Sequence, residues 1–233
     1  PQGVREAVRY AADRVLDVFL TEAARDRHSG IWEEARAAGL YVHLASERVM
    51  AAMSADSQGV LAVVAMDEAA GPGALAAALS GAMLVVVLTE AQDPGNAGAI
   101  IRAADAAGAD AVVLLRGSVD ATSPKVVRSS AGSLFHLPVV TGVTLDDAVA
   151  ALHEADLAVV AADSRGALDL FDADAVLEGP VAWLLGNEAR GLPPEALSRA
   201  DAVISIPVRG RAESLNVAAA AAVCLYASAR AQR

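Results

Sequence analysis

The first third of the chain alternates short apolar runs with amphipathic stretches. Val15–Glu22 ("VLDVFLTE") and Gly59–Met66 ("GVLAVVAM") have the dense aliphatic content of β-strands. Between them, Gly30–Leu40 has the apolar spacing of a helix, and Gly39 is suited to end it because glycine readily adopts the left-handed conformation after a last helical turn. Tyr41–Ser46 follows as a strand whose terminal serine is suited to cap the next helix. The pattern predicts alternating strands and helices.

A second series begins at Ala82, after a segment rich in glycine and proline. This segment, residues 67–81 ("DEAAGPGALAAALSG"), interrupts the rhythm, and we interpret it as a linker. Beyond it, aliphatic runs alternate with helical segments, which is typical of a mostly parallel sheet covered on both faces. The predicted strands are "MLVVVLTE", "AVVLLRG", "HLPVVTG", "LAVVAADS", "VAWLLGNE" and "AVISIPV". We therefore predict an α/β protein with one domain in residues 1–66 and a second in residues 82–233.

Polar, glycine-rich sequence follows four of these strands. Ligands of parallel α/β sheets bind outside the carboxyl ends of the strands. We therefore expect the four segments to form one composite site. They are "AQDPGNAGAIIRAADAAG", "ADSRGA", "GNEARGLPPE" and "PVRGRAESLN".

Taken singly, several polar residues of these segments have a structural explanation. Asn96 follows a Pro-Gly turn pair and is suited to cap a helix, in which case Arg102 is a solvated helix arginine. Ser214 is suited to be an N-cap, with Asn216 in the first helical turn. Capping does not explain the two arginines and the glycine at positions 209 to 211, three to five residues before Ser214.

A dinucleotide site is the obvious rival interpretation. Gly71–Ala76 ("GPGALA") matches the pattern G-x-G-x-x-A, and Glu90 lies seventeen residues beyond Gly73. The fingerprint should follow its strand directly, yet four residues separate it from Met66 and its second position is proline. A nicotinamide-dependent oxidoreductase therefore stays open as the alternative with the weaker motif.

The composition is that of a globular protein: of 233 residues, 55% are hydrophobic and 20% are charged. The longest apolar runs are too short to span a bilayer, and no export signal opens the chain, so we expect a cytoplasmic protein. Because the chain starts at Pro1 without Met, we expect its first domain to be truncated. Cys224 lies in an Ala/Val/Leu run and predicts a buried thiol, and the four histidines lack metal-ligand spacing, so no metal is expected.

The net charge of −11 argues against a nucleic-acid partner when it is considered alone. The positive charge is segregated, however. Seven arginines lie within the first 48 residues, and no basic residue occurs from Val49 to Ile101. A second basic group lies in later loops and comprises Arg102, Arg116, Lys125, Arg128, Arg190, Arg209 and Arg211. Local patches decide binding, so the acidic total does not exclude RNA.

Three of the polar segments taken together resemble a known family. Asn96 with Arg102, then "GNEARGLP", then "ISIPVRGRAESLNVAAAAAVCLY" are similar in order and spacing to the three motifs of the SpoU (TrmH) family of RNA ribose 2′-O-methyltransferases, within the SPOUT superfamily. The resemblance covers roughly Ala82 to Arg233, and no motif residue departs from it. The first 66 residues resemble, more loosely, the small αβα domain, akin to a ribosomal RNA-binding protein, that many members acting on rRNA carry.

The resemblance implies a fold, a cofactor and a set of residues. The parallel-sheet domain would contain a deep trefoil knot, and the methyl donor would be S-adenosylmethionine. The residues implied to hold this cofactor are Ala162, Leu185, Gly186, Asn187, Ile206 and Leu215. The residues implied at the reacting ribose are Asn96, Arg102, Glu188, Ser214 and Asn216. Candidates for phosphate contacts are Arg128, Arg190, Arg209 and Arg211.

The family places Arg102 at the ribose 2′-hydroxyl, which is a poor nucleophile. Arginine is a poor base because its pKa lies above about 12, so we expect it to position the hydroxyl and stabilise developing negative charge. The resemblance also implies a homodimer that pairs through the alanine-rich helices of the first and third motifs. In such a dimer, each active site would combine Arg102 of one subunit with the cofactor bound to the other subunit.

The substrate is less well defined than the reaction. The first domain favours rRNA, most simply 23S rRNA, over tRNA. A binding-only relative that has lost catalysis is a second alternative, although it would be expected to lack Arg102 or Asn216. The sequence names neither the modified nucleotide nor the biological role, whether housekeeping or self-protection of an antibiotic producer.

Overall fold

The computed structural model describes residues 1–65, 70–187 and 190–233. Met66 at the end of one predicted strand, residues 67–69 of the predicted linker and Glu188 lie outside the described residues. The chain divides into two compact units, and the exact domain borders stay a prediction. The first unit comprises Pro1–Asp67 and Ala131–His136, and the second comprises Glu68–Ser130 and Leu137–Arg233.

The first unit contains a three-stranded mixed sheet, and all three strands were predicted. The strands are β1 (Val15–Leu20), β2 (Tyr41–Leu44) and β3 (Val60–Val64). The order is β2-β1-β3, with β2 parallel and β3 antiparallel to β1. The accompanying helices are α1 (Gln2–Tyr10), α2 (Glu22–Arg27), α3 (Ser29–Ala37) and α4 (Glu47–Met53). Ser46 caps α4 as expected, because its Oγ accepts a hydrogen bond from Val49 N at 3.3 Å.

One face of this sheet forms the core of the first unit. Val18 and Leu20 are fully buried, and they cluster with Ala7 of α1 and with Ile31 and Ala35 of α3. This face therefore holds the unit together through aliphatic burial, which is the dominant favourable term in folding.

The second unit is built on a seven-stranded sheet in which every strand pair is parallel, as predicted. The strands are β4 (Leu84–Leu88), β5 (Ala111–Leu115), β6 (Val139–Val143), β7 (Ala158–Ala162), β8 (Leu168–Asp169), β9 (Val181–Leu185) and β10 (Ala202–Ser205). Their order is β6-β5-β4-β9-β7-β10-β8. Six were predicted, and the edge strand β8 was missed. The central strands β4 and β9 are buried along their whole length.

Helices complete the second unit. They are α5 (Gly71–Ala78), α6 (Pro94–Ala107), α7 (Pro124–Ser129), α8 (Leu145–Glu154), α9 (Asp174–Leu177), α10 (Pro194–Arg199) and α11 (Val217–Ala231). The helices of the first and third motifs, α6 and α11, pack on each other, and Tyr226 Oη donates to the carbonyl of Ala106 at 3.3 Å. Among the described residues, no helix combines the length and the apolar content needed to cross a membrane.

The described part of the predicted linker belongs to the core of the second unit. It contains α5, whose Leu75 and the following Leu79 are buried and cluster with Val140 of β6. The linker of residues 67–81 stays a prediction, but its described part forms a helix with a buried residue, because aliphatic residues at a helical spacing outweighed the glycines and proline. The preceding strand, β3, belongs to the three-stranded sheet, so "GPGALA" lacks the strand that a dinucleotide fingerprint requires.

Two predicted helix caps are also corrected. Asp93, not Asn96, caps α6, because its Oδ1 accepts from Asn96 N at 2.9 Å. Pro94 takes the first helical position, where its missing N–H costs nothing, so the residue before it is the cap. Asn216, not Ser214, caps α11, and its Oδ1 accepts from the first helical amides.

Candidate active site

A cleft of about 300 Å³ opens at the carboxyl ends of β7, β9 and β10. Three of the four polar segments contribute to it, at the edge where the sequence predicts a composite site. All six residues predicted to hold a cofactor line the cleft. The complete lining is Ala162, Asp163, Ser164, Leu185, Gly186, Asn187, Gly191, Ile206, Val208, Glu213, Ser214, Leu215, Val217 and Ala220.

The loop after β9 forms one wall and is closed by two backbone hydrogen bonds. Asn187 N donates to Gly191 O at 3.1 Å, and Gly191 N donates to Asn187 O at 2.8 Å. A Cβ on Gly186 would overlap the backbone of Gly191 and Leu192. Only glycine fits there, so this residue type follows from close backbone approach, and the loop presents main-chain groups to the cleft.

The same loop is joined to the residues that follow β4. Thr89 Oγ1 donates to Leu185 O at 3.1 Å, and Asn187 Nδ2 donates to Glu90 O at 3.0 Å. The Glu90 carboxylate pairs with Arg190 at 2.8 Å, although both side chains are exposed. Arg190 was predicted as a phosphate contact, and in this arrangement its charge is already shared with a carboxylate. The second motif is therefore physically connected to the end of the strand that precedes the first motif.

A tight turn after β7 forms the opposite wall, and the sequence did not identify its key residue. Asp163 Oδ1 accepts from the backbone N–H of Arg165 at 2.9 Å and from its Nε at 2.8 Å, and Oδ2 accepts from Nη2 at 2.9 Å. These hydrogen bonds from Arg165 hold the pKa of the Asp163 carboxyl below its ordinary value, so it is ionised at neutral pH. The acidic residue directly after a buried strand was the available signal.

The passage into α11 supplies the third wall and an unexpected contact. Leu215 is 41% exposed and lines the cleft with Ser214. Asn216 Nδ2 donates to Asn96 Oδ1 at 3.1 Å. The first and third motifs therefore meet through two asparagine side chains that the sequence assigned to the same reaction.

Four of the other predicted residues are not part of the cleft lining. Arg102 is exposed on α6 and is not part of the lining, so the structure does not bring it to the cleft of its own chain. Arg128 is exposed on α7, and Arg209 and Arg211 are exposed in the loop between β10 and α11. In the parts of the chain that the structure describes, no cluster of three His, Cys, Asp or Glu side chains could hold a metal ion.

A parallel α/β sheet with loops converging on a cleft at its carboxyl edge defines a protein that binds a small molecule there. Comparison with protein families narrows this class. The family described as the SpoU rRNA Methylase family matches residues 83–226. The chain belongs to this family.

Curated relatives have named activities on rRNA. The 23S rRNA (guanosine-2′-O-)-methyltransferase RlmB of Bordetella pertussis is 32% identical over 227 residues, which covers 96% of this chain and 92% of the relative. The 23S rRNA (uridine(2479)-2′-O)-methyltransferase of Streptomyces viridochromogenes is 41% identical over 140 residues, or 58% of this chain and 48% of the relative. The similarity to the first extends over both units.

Solved structures share the fold over nearly the whole chain. The SpoU methyltransferase AviRb from Streptomyces viridochromogenes superposes with a TM-score of 0.83 at 29% identity, covering 99% of this chain and 88% of that one. An AdoMet-bound rRNA methyltransferase from Sinorhizobium meliloti has a TM-score of 0.80 at 30% identity, covering 97% and 84%.

Proposed function

We propose that this chain is an S-adenosylmethionine-dependent enzyme that methylates a ribose 2′-hydroxyl of 23S rRNA. The observation that carries the proposal is the cleft: six residues from the ends of β7, β9 and β10 and from the segments that follow them stand around one cavity at the sheet edge. The relative that matches nearly the full length, RlmB of Bordetella pertussis, is named for this reaction. Ribosomal RNA is a cytoplasmic substrate in bacteria, so we place the enzyme in the cytoplasm.

The cleft fits the proposed cofactor. Its volume of about 300 Å³ is at the small end of ligand sites. Ile206 and Leu215 offer apolar walls to an adenine ring. The loop held by Gly186 lines the cleft, so its main-chain donors and acceptors would bind the edge of the base. When bound, S-adenosylmethionine supplies a methyl group on a sulfonium sulfur.

The chain's own residues bind and orient the ribose. Arginine side chains stay cationic in proteins, so Arg102 would act by holding the 2′-hydroxyl and by stabilising negative charge as the proton leaves. The bonded pair of Asn96 and Asn216 fixes the junction of the first and third motifs. Ser214, which lines the cleft, and Glu188 would orient the ribose through hydrogen bonds.

We propose that the enzyme is a homodimer paired through α6 and α11. Two observations support this arrangement. The first is that Arg102 is not part of the cleft lining of its own chain. The second is that α11 carries two exposed hydrophobic side chains, Val223 at 37% exposure and Tyr226 at 55%. Pairing would cover these side chains and bring Arg102 of one subunit to the cleft of the other.

Mixing two inactive proteins tests the shared site. Arg102→Ala subunits retain an intact cleft, and Gly186→Ala subunits retain Arg102. Heterodimers of the two should recover activity, because one of their two sites contains both intact halves. No recovery on mixing, or sedimentation of the wild type as a 23.6 kDa monomer at micromolar concentration, would refute the dimer.

We also propose that the second unit contains the trefoil knot of its family. Support comes from the chain path: the loop after β9 and the passage before α11 line one cleft, although α10 and β10 separate them in sequence. Knots are very rare in proteins, so the proposal requires a direct test. A crystal structure whose backbone straightens when the two ends are pulled would rule it out.

We propose that four exposed arginines and the first unit contact RNA. We also propose that the first unit has the αβα layering of a ribosomal RNA-binding protein. Arg209 and Arg211 lie in sequence between the lining residues Val208 and Glu213, whereas Arg128 lies on α7 and Arg190 lies in the loop after β9. If they bind phosphates, replacing each with alanine should weaken RNA binding and lower its salt dependence. Unchanged salt dependence in the fourfold variant would exclude this role.

The decisive experiment is methyl transfer from labelled S-adenosylmethionine to 23S rRNA and, separately, to tRNA. We expect a 2′-O-methyl group at one 23S position, which nuclease-resistant dinucleotide mapping identifies. Arg102→Ala should lower the single-turnover rate by about a hundredfold or more with cofactor affinity unchanged. The matched control is Arg199→Ala, which removes a partly exposed arginine of α10 that pairs with Asp146. Labelling of tRNA alone would select the alternative substrate, and binding without transfer would select the non-catalytic alternative.

A further inference from the structure

Asp163 is the least exposed carboxylate around the cleft among the described residues. The Asp163 side chain is only 9% exposed to solvent, whereas the side chain of its partner Arg165 is 70% exposed. The turn that carries it packs tightly on β10, because a Cβ on Gly166 would lie 2.6 Å from Ile204 C and 2.7 Å from Ser205 N. The carboxylate is therefore held in one place before any ligand arrives.

The hydrogen bonds of the Asp163 carboxylate leave one of its acceptor positions without a donor. A carboxylate offers about four acceptor positions, and three are used by Arg165: two on Oδ1 and one on Oδ2. One position on Oδ2 is free to accept a hydrogen bond from a ligand. Because the pair with Arg165 is electrically neutral as a whole, it favours a neutral donor such as a hydroxyl over a cation.

A second carboxylate in the same cleft makes a useful contrast. Glu213 also lines the cleft, and within the described part of the chain it has no ion-pair partner. Its uncompensated charge suits a cationic group, such as the ammonium or sulfonium of the methyl donor. The two carboxylates therefore differ in the kind of ligand group each can recognise.

We propose that Asp163 binds a ribose hydroxyl of S-adenosylmethionine and so selects a ribonucleoside donor. Carboxylates at strand ends of α/β sheets bind ribose hydroxyls in dinucleotide sites by the same chemistry. The inference rests on the proposed function, and it assigns a side-chain contact to the ribose, whereas the adenine was assigned main-chain groups and apolar walls.

The competing explanation is that Asp163 only shapes the turn. Its Oδ1 accepts from the backbone two residues on, a typical turn-forming contact, and Gly166 N donates to the Asp163 carbonyl at 3.0 Å. Removal of the side chain would then weaken all ligands alike. If Asp163 instead binds a ribose hydroxyl, removal of its side chain should lower the affinity only for ligands that carry this hydroxyl.

The test measures binding of S-adenosylhomocysteine and of its 2′-deoxy and 3′-deoxy analogues by calorimetry. With the wild type, at least one deoxy analogue should bind about tenfold or more weakly, as expected for a lost hydrogen bond to a charged group. In Asp163→Ala this difference between ligands should vanish. In the control Glu213→Gln, which removes an equal charge from the same cleft, the difference should persist.

Two further variants keep the test decisive. Asp163→Asn preserves the Oδ1 acceptor of the turn and replaces Oδ2, so it should fold and show a reduced difference. Arg165→Gln keeps the carboxylate and should retain the difference. A difference unchanged in both Asp163 variants would overturn the proposal. Failure of the wild type to bind S-adenosylhomocysteine at all would instead overturn the proposed function.

Discussion

Asn216 Nδ2 donates to Asn96 Oδ1 over 3.1 Å, and 120 residues of chain separate the two side chains. The orientation of the Asn216 amide is set by α11, because its Oδ1 accepts from Ala218 N at 2.9 Å and thereby turns Nδ2 toward Asn96. One side chain therefore begins a helix and joins two motifs, and these two tasks can be separated by mutation.

Replacing Asn216 by alanine should remove both tasks. Loss of the cap should destabilise the protein by about 1 kcal/mol. Asn216→Asp keeps the capping oxygen, so its stability should stay within about 0.5 kcal/mol of the wild type. Urea unfolding measures both variants. Equal stability of Asn216→Ala and the wild type would show that the cap contributes nothing.

Gly186→Ala should damage the cleft directly. The new methyl group would overlap the backbone of Gly191 and Leu192, so the loop must move, at a cost of about 1–3 kcal/mol. Cofactor affinity should fall with it. Gly179→Ala is the matched control, since nothing lies within 4 Å of its Cβ position. Calorimetry with the cofactor would contradict this prediction if the two variants bound equally well.

Ser228 is expected to stabilise the attachment of the last helix to the central sheet. Trp183 is fully buried on β9, and its Nε1 donates to Ser228 Oγ at 2.9 Å. Ser228→Ala leaves that buried N–H without its acceptor, which should cost about 1–3 kcal/mol. The exposed Ser198 on α10 provides the control, because its loss should change the unfolding free energy by less than about 0.5 kcal/mol. Similar losses in the two variants would argue against a special role for Ser228.

Cys224 should be chemically inert while the protein is folded. It is fully buried, and this burial raises the pKa of its thiol to about 12. The reactive thiolate is therefore scarce at any pH below that value, and reagents must also wait for the helix to open. Alkylation followed by mass spectrometry should show slow labelling without urea and rapid labelling with it. Rapid labelling of the native protein would contradict the structure.

The strands were predictable from the sequence because each buried strand is a nearly unbroken aliphatic run. The missed strand β8 has only two residues, Leu168 and Asp169, and pairs at the sheet edge with β10. So short an element has no period of its own. It exists because a neighbouring backbone offers hydrogen bonds, which a local pattern cannot show. The helix α5 was taken for a linker for a different reason, because its glycines and proline were given more weight than the helical spacing of its aliphatic residues.

The site was predictable in its motifs and not in its detailed contacts. Gly186 and Ile206 were identified because they belong to recognisable segments that line the cleft. Asp163 was missed because its importance depends on burial and on Arg165, neither of which the composition of "ADSRGA" reveals. Its lowered pKa is likewise a product of the folded turn.

The strand order has a consequence for how the protein is made. Strands β4, β5 and β6 are neighbours in both sequence and sheet, so they can pair early, yet the other edge of β4 is satisfied only by β9. The contact of Thr89 with Leu185 spans 96 residues. On the ribosome, one edge of the apolar strand β4 therefore stays unpaired until β9 emerges. Pairing of strands so far apart in sequence is slow. We expect the nascent chain to depend on chaperones during that interval and to become resistant to protease only after β9 has left the exit tunnel.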